Sequence, residues 1–246
     1  MSWSLAALGV AVFLVAGGVK GLVGLGLPTV SIALLAVVMP VPEAMALLTL
    51  PTIVTNVWQA AVGGRFMPLV RRLWPLILTV CVVVWLTVSF VGRKAPTWAM
   101  PVLGAVLIVY GAMGLGKLRF HVAERWERWA SVPVGAASGF VAGIVGVPII
   151  PLMPYLQALE MKPAELVQAL GIVLCAVMIT ITATLAGYGV LDAPRAAVSA
   201  AAVVPAMAGM WCGQRVRRRL SVDQFRVVVF VALLLLGVHA VLKSLY

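Results

Sequence analysis

The chain has 246 residues, of which 63% are hydrophobic and only 10% charged, where a soluble domain carries roughly 25% charge. That balance excludes a cytosolic enzyme, a secreted disulfide scaffold and a disordered chain, and its long apolar runs are not the roughly ten-residue alternating segments of an outer-membrane barrel. Against 7 Asp and Glu there are 18 Lys and Arg, a net charge of +11, which in a polytopic membrane protein reads as cytoplasmic loops rather than as a surface for nucleic acid.

Apolar runs fall at 4–19, 28–39, 44–62, 74–91 and 98–116, and then at 132–146, 148–159, 164–186, 195–212 and 224–243. The first starts almost at once without a basic leader and is expected to be retained rather than cleaved. A helix needs about 20 residues to cross about 30 Å of hydrocarbon. The runs at 28–39 and 148–159 are 12 residues each and reach only about 18 Å. Both open with a proline, Pro28 and Pro148, whose missing N–H is harmless at a helix start. Both also follow glycine-rich breaks, so they are expected to be half-helices, re-entrant or broken.

If each run reverses the chain direction, the odd-numbered connections hold Lys20, Arg65, Arg71, Arg72, Lys117, Arg119, Arg125, Arg128, Lys162, Arg215, Arg217, Arg218, Arg219 and Arg226, which is 14 of the 18 basic residues. The other connections and the C-terminus hold Arg93, Lys94, Arg195 and Lys243. Basic residues accumulate in the cytoplasm, so the odd loops are expected there and both termini in the periplasm.

The two sets of five runs repeat one another. Gly21 to Pro28 corresponds to Gly143 to Pro148, while Pro42-Glu43 falls opposite Pro163-Ala164 and Gly92-Arg93 opposite Gly213-Gln214, both at an offset of 121. Five is odd, so the second copy must be upside-down relative to the first. The expected fold is thus an all-α integral membrane protein of two inverted repeats, at 1–116 and 131–246. Between them, 117–130 is expected to be an amphipathic cytoplasmic linker with Trp126 and Trp129 on one face. Paired broken helices in inverted repeats are the sequence signature of a secondary transporter.

A half-helix aims free N–H groups and a partial positive charge at its tip, which suits an anion. The candidate substrate-binding residues are therefore Gly24, Gly26, Pro28, Thr29 and Ser31 at the first break and Gly143, Gly146 and Pro148 at the second. The alternative for the glycines is close helix packing, since Gly17 with Gly21 and Gly139 with Gly143 fit a small-xxx-small pattern. Lys20 is expected either near a hairpin tip, facing an anion, or snorkelling to the interface. In the third run Asn56 and Gln59 share a helical face and are candidates for substrate contact or for helix-to-helix hydrogen bonds.

The acidic residues Glu43, Glu124, Glu127, Glu160, Glu165, Asp192 and Asp223 all fall in connections or at run ends, leaving no mid-span carboxylate for a cation pump. Cys81, Cys175 and Cys212 read as packing residues, and His121 and His239 have no partner at a useful spacing. No catalytic group, metal site or cofactor is expected.

In its glycine–proline breaks (Gly17-Gly18 with Gly21 to Pro28, and Gly139 with Gly143 to Pro148), in Pro42-Glu43-Ala44 and in Pro205 to Gly213 before a basic loop, the sequence resembles the sulfite exporter / toluene-sulfonate uptake permease (TauE/SafE) family. The resemblance implies a bacterial inner-membrane carrier of small sulfur-containing or organic anions such as sulfite, sulfonates, sulfoacetate or related carboxylates, with export preferred. The expected function is accordingly anion transport by alternating access, one repeat rocking against the other around a site near the bilayer midplane. The expected partners are the small anion and the lipid bilayer, with self-association into a homo-oligomer left open. The alternatives are a non-transporting membrane assembly subunit and, with no polar catalytic cluster to support it, an intramembrane enzyme.

Overall fold

Each apolar run becomes a helix. A computed structural model of the chain describes residues 3–24, 26–91, 98–116, 121–216 and 222–243, and among them there are ten α-helices and no strand. In the first half these are α1 (Trp3–Val23), α2 (Leu27–Leu35), α3 (Val41–Ala61), α4 (Phe66–Val91) and α5 (Ala99–Leu115). The second half holds α6 (Glu124–Val145), α7 (Ile149–Ala158), α8 (Pro163–Gly187), α9 (Ala193–Val216) and α10 (Val222–Lys243). Gly92, Arg93, Lys94, Lys117, Arg119, Arg217, Arg218 and Arg219, used above for the repeat and the charge count, lie outside the described residues. By length and apolarity α3, α4, α8 and α9 can cross a membrane, and shorter apolar helical stretches lie at 7–22, 99–115, 149–158 and 227–242.

The two breaks are made by glycine in different ways. Gly26 sits at φ 105°, directly before α2, and Pro28 occupies its first turn. A residue with a Cβ would be strained at that φ. In the second half Gly146, at φ 77°, closes α6, and Ile150 is extended (φ −119°, ψ 126°), so regular helix in α7 begins only after it. With nine and ten residues, α2 and α7 extend about 14–15 Å and neither crosses by itself.

Glycine also sets how the helices pair. A Cβ on Gly17 or Gly21 of α1 would strike the backbone carbonyls of Ala206 or Met210 in α9, and one on Gly209 or Gly213 of α9 would strike those of Leu14 or Gly18. Gly139 of α6 lies against the backbone of Val80 and Gly143 against the side chain of Thr87 in α4, Gly171 of α8 against the backbone of Gln59 and Ala60 in α3, and Gly104 of α5 against Val241 and the carbonyl of Gly237 in α10. Lipid tails are as apolar as the side chains, so close backbone approach and dispersion, rather than water exclusion, hold such seams. Tyr110 and Phe230 add an edge-to-face ring pair across α5 and α10, with centroids 5.2 Å apart.

Every one of these principal seams joins a helix of the first half to one of the second. The set of pairs maps onto itself when α1–α5 are exchanged with α6–α10: α1 with α9 becomes α6 with α4, α3 with α9 becomes α8 with α4, and the pairs α3–α8 and α5–α10 are unchanged. Direction is reversed in the exchange. Ala60 near the end of α3 meets Gln168 near the start of α8, so those two run antiparallel.

One end of the bundle carries Arg65 with Glu165 (2.6 Å), Arg72 with Glu127 (2.8 Å) and His121 with Glu160 (3.0 Å). It is called the basic end below. The opposite end carries Arg195 with Glu43 (3.3 Å) and Asp192 (2.8 Å). Glu124 to Ala130 are not a separate surface helix but the first turns of α6, which runs on through Pro133. The reason is Glu127, 8% exposed and held by two oxygens against the Arg72 guanidinium, which draws these turns onto α4 while Trp126 and Trp129 stay exposed.

Candidate functional site

Lys20 lies one turn before the end of α1 and is only 4% exposed. Its ammonium does not reach the interface. It donates to Thr55 Oγ1 at 3.0 Å and to Asn56 Oδ1, both on α3. Thr55 spends its own proton on the carbonyl of Pro51 at 2.8 Å, so its oxygen is left to accept from the lysine. Asn56 turns its oxygen to Lys20, and its buried Nδ2 has no partner among the described residues. An ammonium has three donors, and two are engaged here, so the site keeps one lysine N–H and the Asn56 amide in reserve.

Charge balance sets this lysine apart. Among the described residues no carboxylate lies within ion-pair distance of it, while Glu43, Glu127, Glu160, Glu165 and Asp192 are all engaged at the two ends of the bundle. A charged side chain at the centre of a membrane helix costs about 2.5–3.5 kcal/mol on the insertion scale. Two neutral oxygen partners offset part of that, and an anion would offset more.

Beside Lys20 is a cavity of about 500 Å³. Its walls are Lys20, Gly21 and Gly24 from the end of α1, Thr55, Trp58, Gln59 and Val62 from the last two turns of α3 and the turn after it, Val167 from α8, and Met210 and Gln214 from α9. No carboxylate lines it. Trp58, Val62 and Gln214 are exposed, so it opens at the basic end. Gln59 ties the first break to α3 by donating from Nε2 to the carbonyl of Gly24 at 2.9 Å. A second, apolar cavity of about 240 Å³, lined by residues such as Leu8, Phe13, Leu35, Leu47, Ala202 and Pro205, lies between α1, α2, α3 and α9 toward the opposite end.

Lys20, Gly24, Asn56 and Gln59 are thus brought together. Gly26 and Pro28 follow directly, and Thr29 and Ser31 are fully buried with hydroxyl oxygens that have no partner among the described residues, as is Thr52 on α3. Gly143, Gly146 and Pro148 are not brought to this group. A Cβ on Gly146 would meet Met45, near the start of α3, whereas Gly24 meets Gln59 near its end. Those contacts are 14 residues apart, or about 21 Å along the helix, so the two breaks do not converge on one point. The Lys20 contacts lie four and five residues past Pro51, the middle residue of α3, so the site sits about 6–8 Å from that helix's centre toward the basic end.

Thr55, Trp58, Val62, Val167, Met210 and Gln214 are not among the substrate-binding candidates read from the sequence. For Thr55 the signal was its position four residues before Gln59 on one helical face. The cavity residues of α8 and α9 carried none, because only the packing of α9 on α1 and of α8 on α3 brings them there.

Among the described residues there is no group of three His, Cys, Asp or Glu that could hold a metal ion. No curated protein and no solved structure matches the chain. The family model described as Sulfite exporter TauE/SafE does, over residues 9–240. That span takes in part or all of every helix described above, and the chain accordingly belongs to the TauE/SafE sulfite exporter family of multi-pass membrane transporters.

Proposed function

We propose that the protein carries a small anion across the bacterial inner membrane by alternating access, and that Lys20 is the charge that selects it. The observation that carries this reading is a buried ammonium with two neutral oxygen partners and, among the described residues, no acid, at the wall of a cavity open at one end. Asn56 Nδ2 and the remaining lysine N–H are the donors first available to the guest. Gln59 and Gly24 frame it, while Gly26, Pro28, Thr29 and Ser31 stand at the start of α2 behind the cavity wall, the hydroxyls of Thr29 and Ser31 without a partner among the described residues. Gly146 and Pro148 make the turn of the second half and Gly143 its helix seam, and in this reading they do not touch the same guest.

Basic residues of the odd connections mark the cytoplasmic side, which puts the basic end there and both termini in the periplasm. The cavity then opens to the cytoplasm, as the loading state of an exporter requires. A cytoplasm-negative potential favours exit of a monovalent anion by about 2.3 kcal/mol per 100 mV. Sulfite, a sulfonate or a related organic acid is the substrate class implied by the family.

The test is efflux from proteoliposomes loaded with sulfite, a short alkyl sulfonate or a short carboxylate under an imposed potential. Efflux of at least one of them, accelerated when the interior is negative, is expected. No efflux of any, from monodisperse protein, counts against the reading and favours a non-transporting subunit.

A further inference from the structure

Proline at position 51 cannot donate to the carbonyl four residues back, so α3 leaves the Leu47 oxygen without its helical partner. Ser199 of α9 fills the gap: its hydroxyl donates to Leu47 O at 2.8 Å and accepts from Leu50 N at 3.2 Å. One turn earlier on α9, Arg195 reaches Glu43 of α3 at 3.3 Å. These links join α9 to α3 from mid-helix to the end away from the Lys20 cavity. At the cavity end the same two helices stand apart, with Met210 and Gln214 of α9 facing Thr55, Trp58 and Gln59 of α3 across the open space.

The neighbours of each helix are fixed more firmly. α1 and α9 share a seam in which a Cβ on Gly17, Gly21, Gly209 or Gly213 would collide with backbone. α3 is tied to α8 by Gln168, which donates to Ala60 O at 2.8 Å and accepts from Arg65 N at 3.1 Å. We infer that α1 and α9 move as one body against α3 and α8, with Ser199 and Arg195 as the latch that must part before the cavity can open toward the opposite end. The inference rests on the transport reading above. Both are positioning residues, since they act on α3 and not on the anion. The ion pair is 37% and 44% exposed, so water can replace it, and the Ser199 link consists of two hydrogen bonds to the turn before Pro51.

The experiment measures the latch without relying on flux. Nitroxides are placed at V38C and A197C, both exposed positions flanking the latch, after Cys81, Cys175 and Cys212 have been changed to serine. Pulsed electron resonance in liposomes is expected to give a short distance and a second population several ångströms longer. S199A together with R195Q is expected to enlarge the long population at least threefold, while S199T keeps the wild-type balance. A single distance unmoved by these substitutions overturns the latch. In parallel, E43C with R195C is joined by a short thiosulfonate cross-linker. Flux is expected to stop and to return with reductant, and undiminished flux in cross-linked protein also overturns the latch. Absent flux before cross-linking counts against the transport reading alone, because the distances report the latch independently.

Discussion

At Lys20 the physics makes two opposite demands, and a substitution separates them. Lys20 is a buried ammonium with no acid in reach among the described residues, so K20M should leave the anion-free protein as stable as wild type or more so, because an apolar side chain of similar length removes a desolvated charge. The same change should weaken anion affinity at least tenfold, or about 1.4 kcal/mol. Thermal melts with and without anion read both effects. T55V removes one of the two oxygens that accept from Lys20 without creating a void, and is expected to weaken affinity a few-fold. G24L tests the cavity wall. Gly24 has φ 86° and its nearest neighbour in the Cβ direction is Val167, another wall residue, so the leucine costs about 1–2 kcal/mol of backbone strain and projects toward the guest. Flux should be lost while the protein still elutes as one species. As a lone charge beside a glycine break Lys20 was legible in the sequence, but its burial was not. That depends on α3 crossing α1 so that Thr55 and Asn56 face it, and no spacing along α1 encodes where α3 lies.

At the scale of helices, glycine has two uses that substitution distinguishes. In the seams it is a contact surface. G17A would push a methyl group into the carbonyl of Ala206 and should destabilise by about 1–3 kcal/mol, lowering the melting midpoint in detergent. Gly9 in α1 and Gly187 in α8 have nothing within 4 Å of a Cβ. There alanine should be neutral or stabilising by about 0.5–1 kcal/mol, the ordinary helix preference over glycine. That each apolar run holds a helix was legible, because glycine, proline and charge interrupt such runs, but two starts were not: α4 begins at Phe66, eight residues before its run, and encloses Arg71 and Arg72, and α6 begins at Glu124. In α6 the cause is visible. Its first turns looked like a polar linker because Glu127 is charged, and only its bidentate pairing with Arg72 shows why a carboxylate can sit on a packed face.

For the whole molecule, the internal repeat was legible in the offset of 121 residues, but the way the halves combine was not. Each principal seam crosses between them, α1 with α9 and α4 with α6, so rocking one half against the other would tear all the glycine contacts at once. The moving bodies inferred above, α1 with α9 and α3 with α8, are accordingly drawn from both halves. Orientation is tested by membrane-impermeant maleimide. E160C, at a side chain 71% exposed on the basic end, should react only from the cytoplasm, and D192C, at one 43% exposed on the other, only from the periplasm. The claim on which the rest depends is that the unpaired ammonium waits for a negative guest. Titration of purified protein with sulfite and with sulfonates, followed by the melting midpoint, tests it most directly. Stabilisation of wild type that rises with the logarithm of anion concentration, about 2.7 kcal/mol at a hundredfold excess over Kd, and its loss in K20M with the fold intact, is the expected result, whereas equal stabilisation of both proteins by the same anion would contradict it.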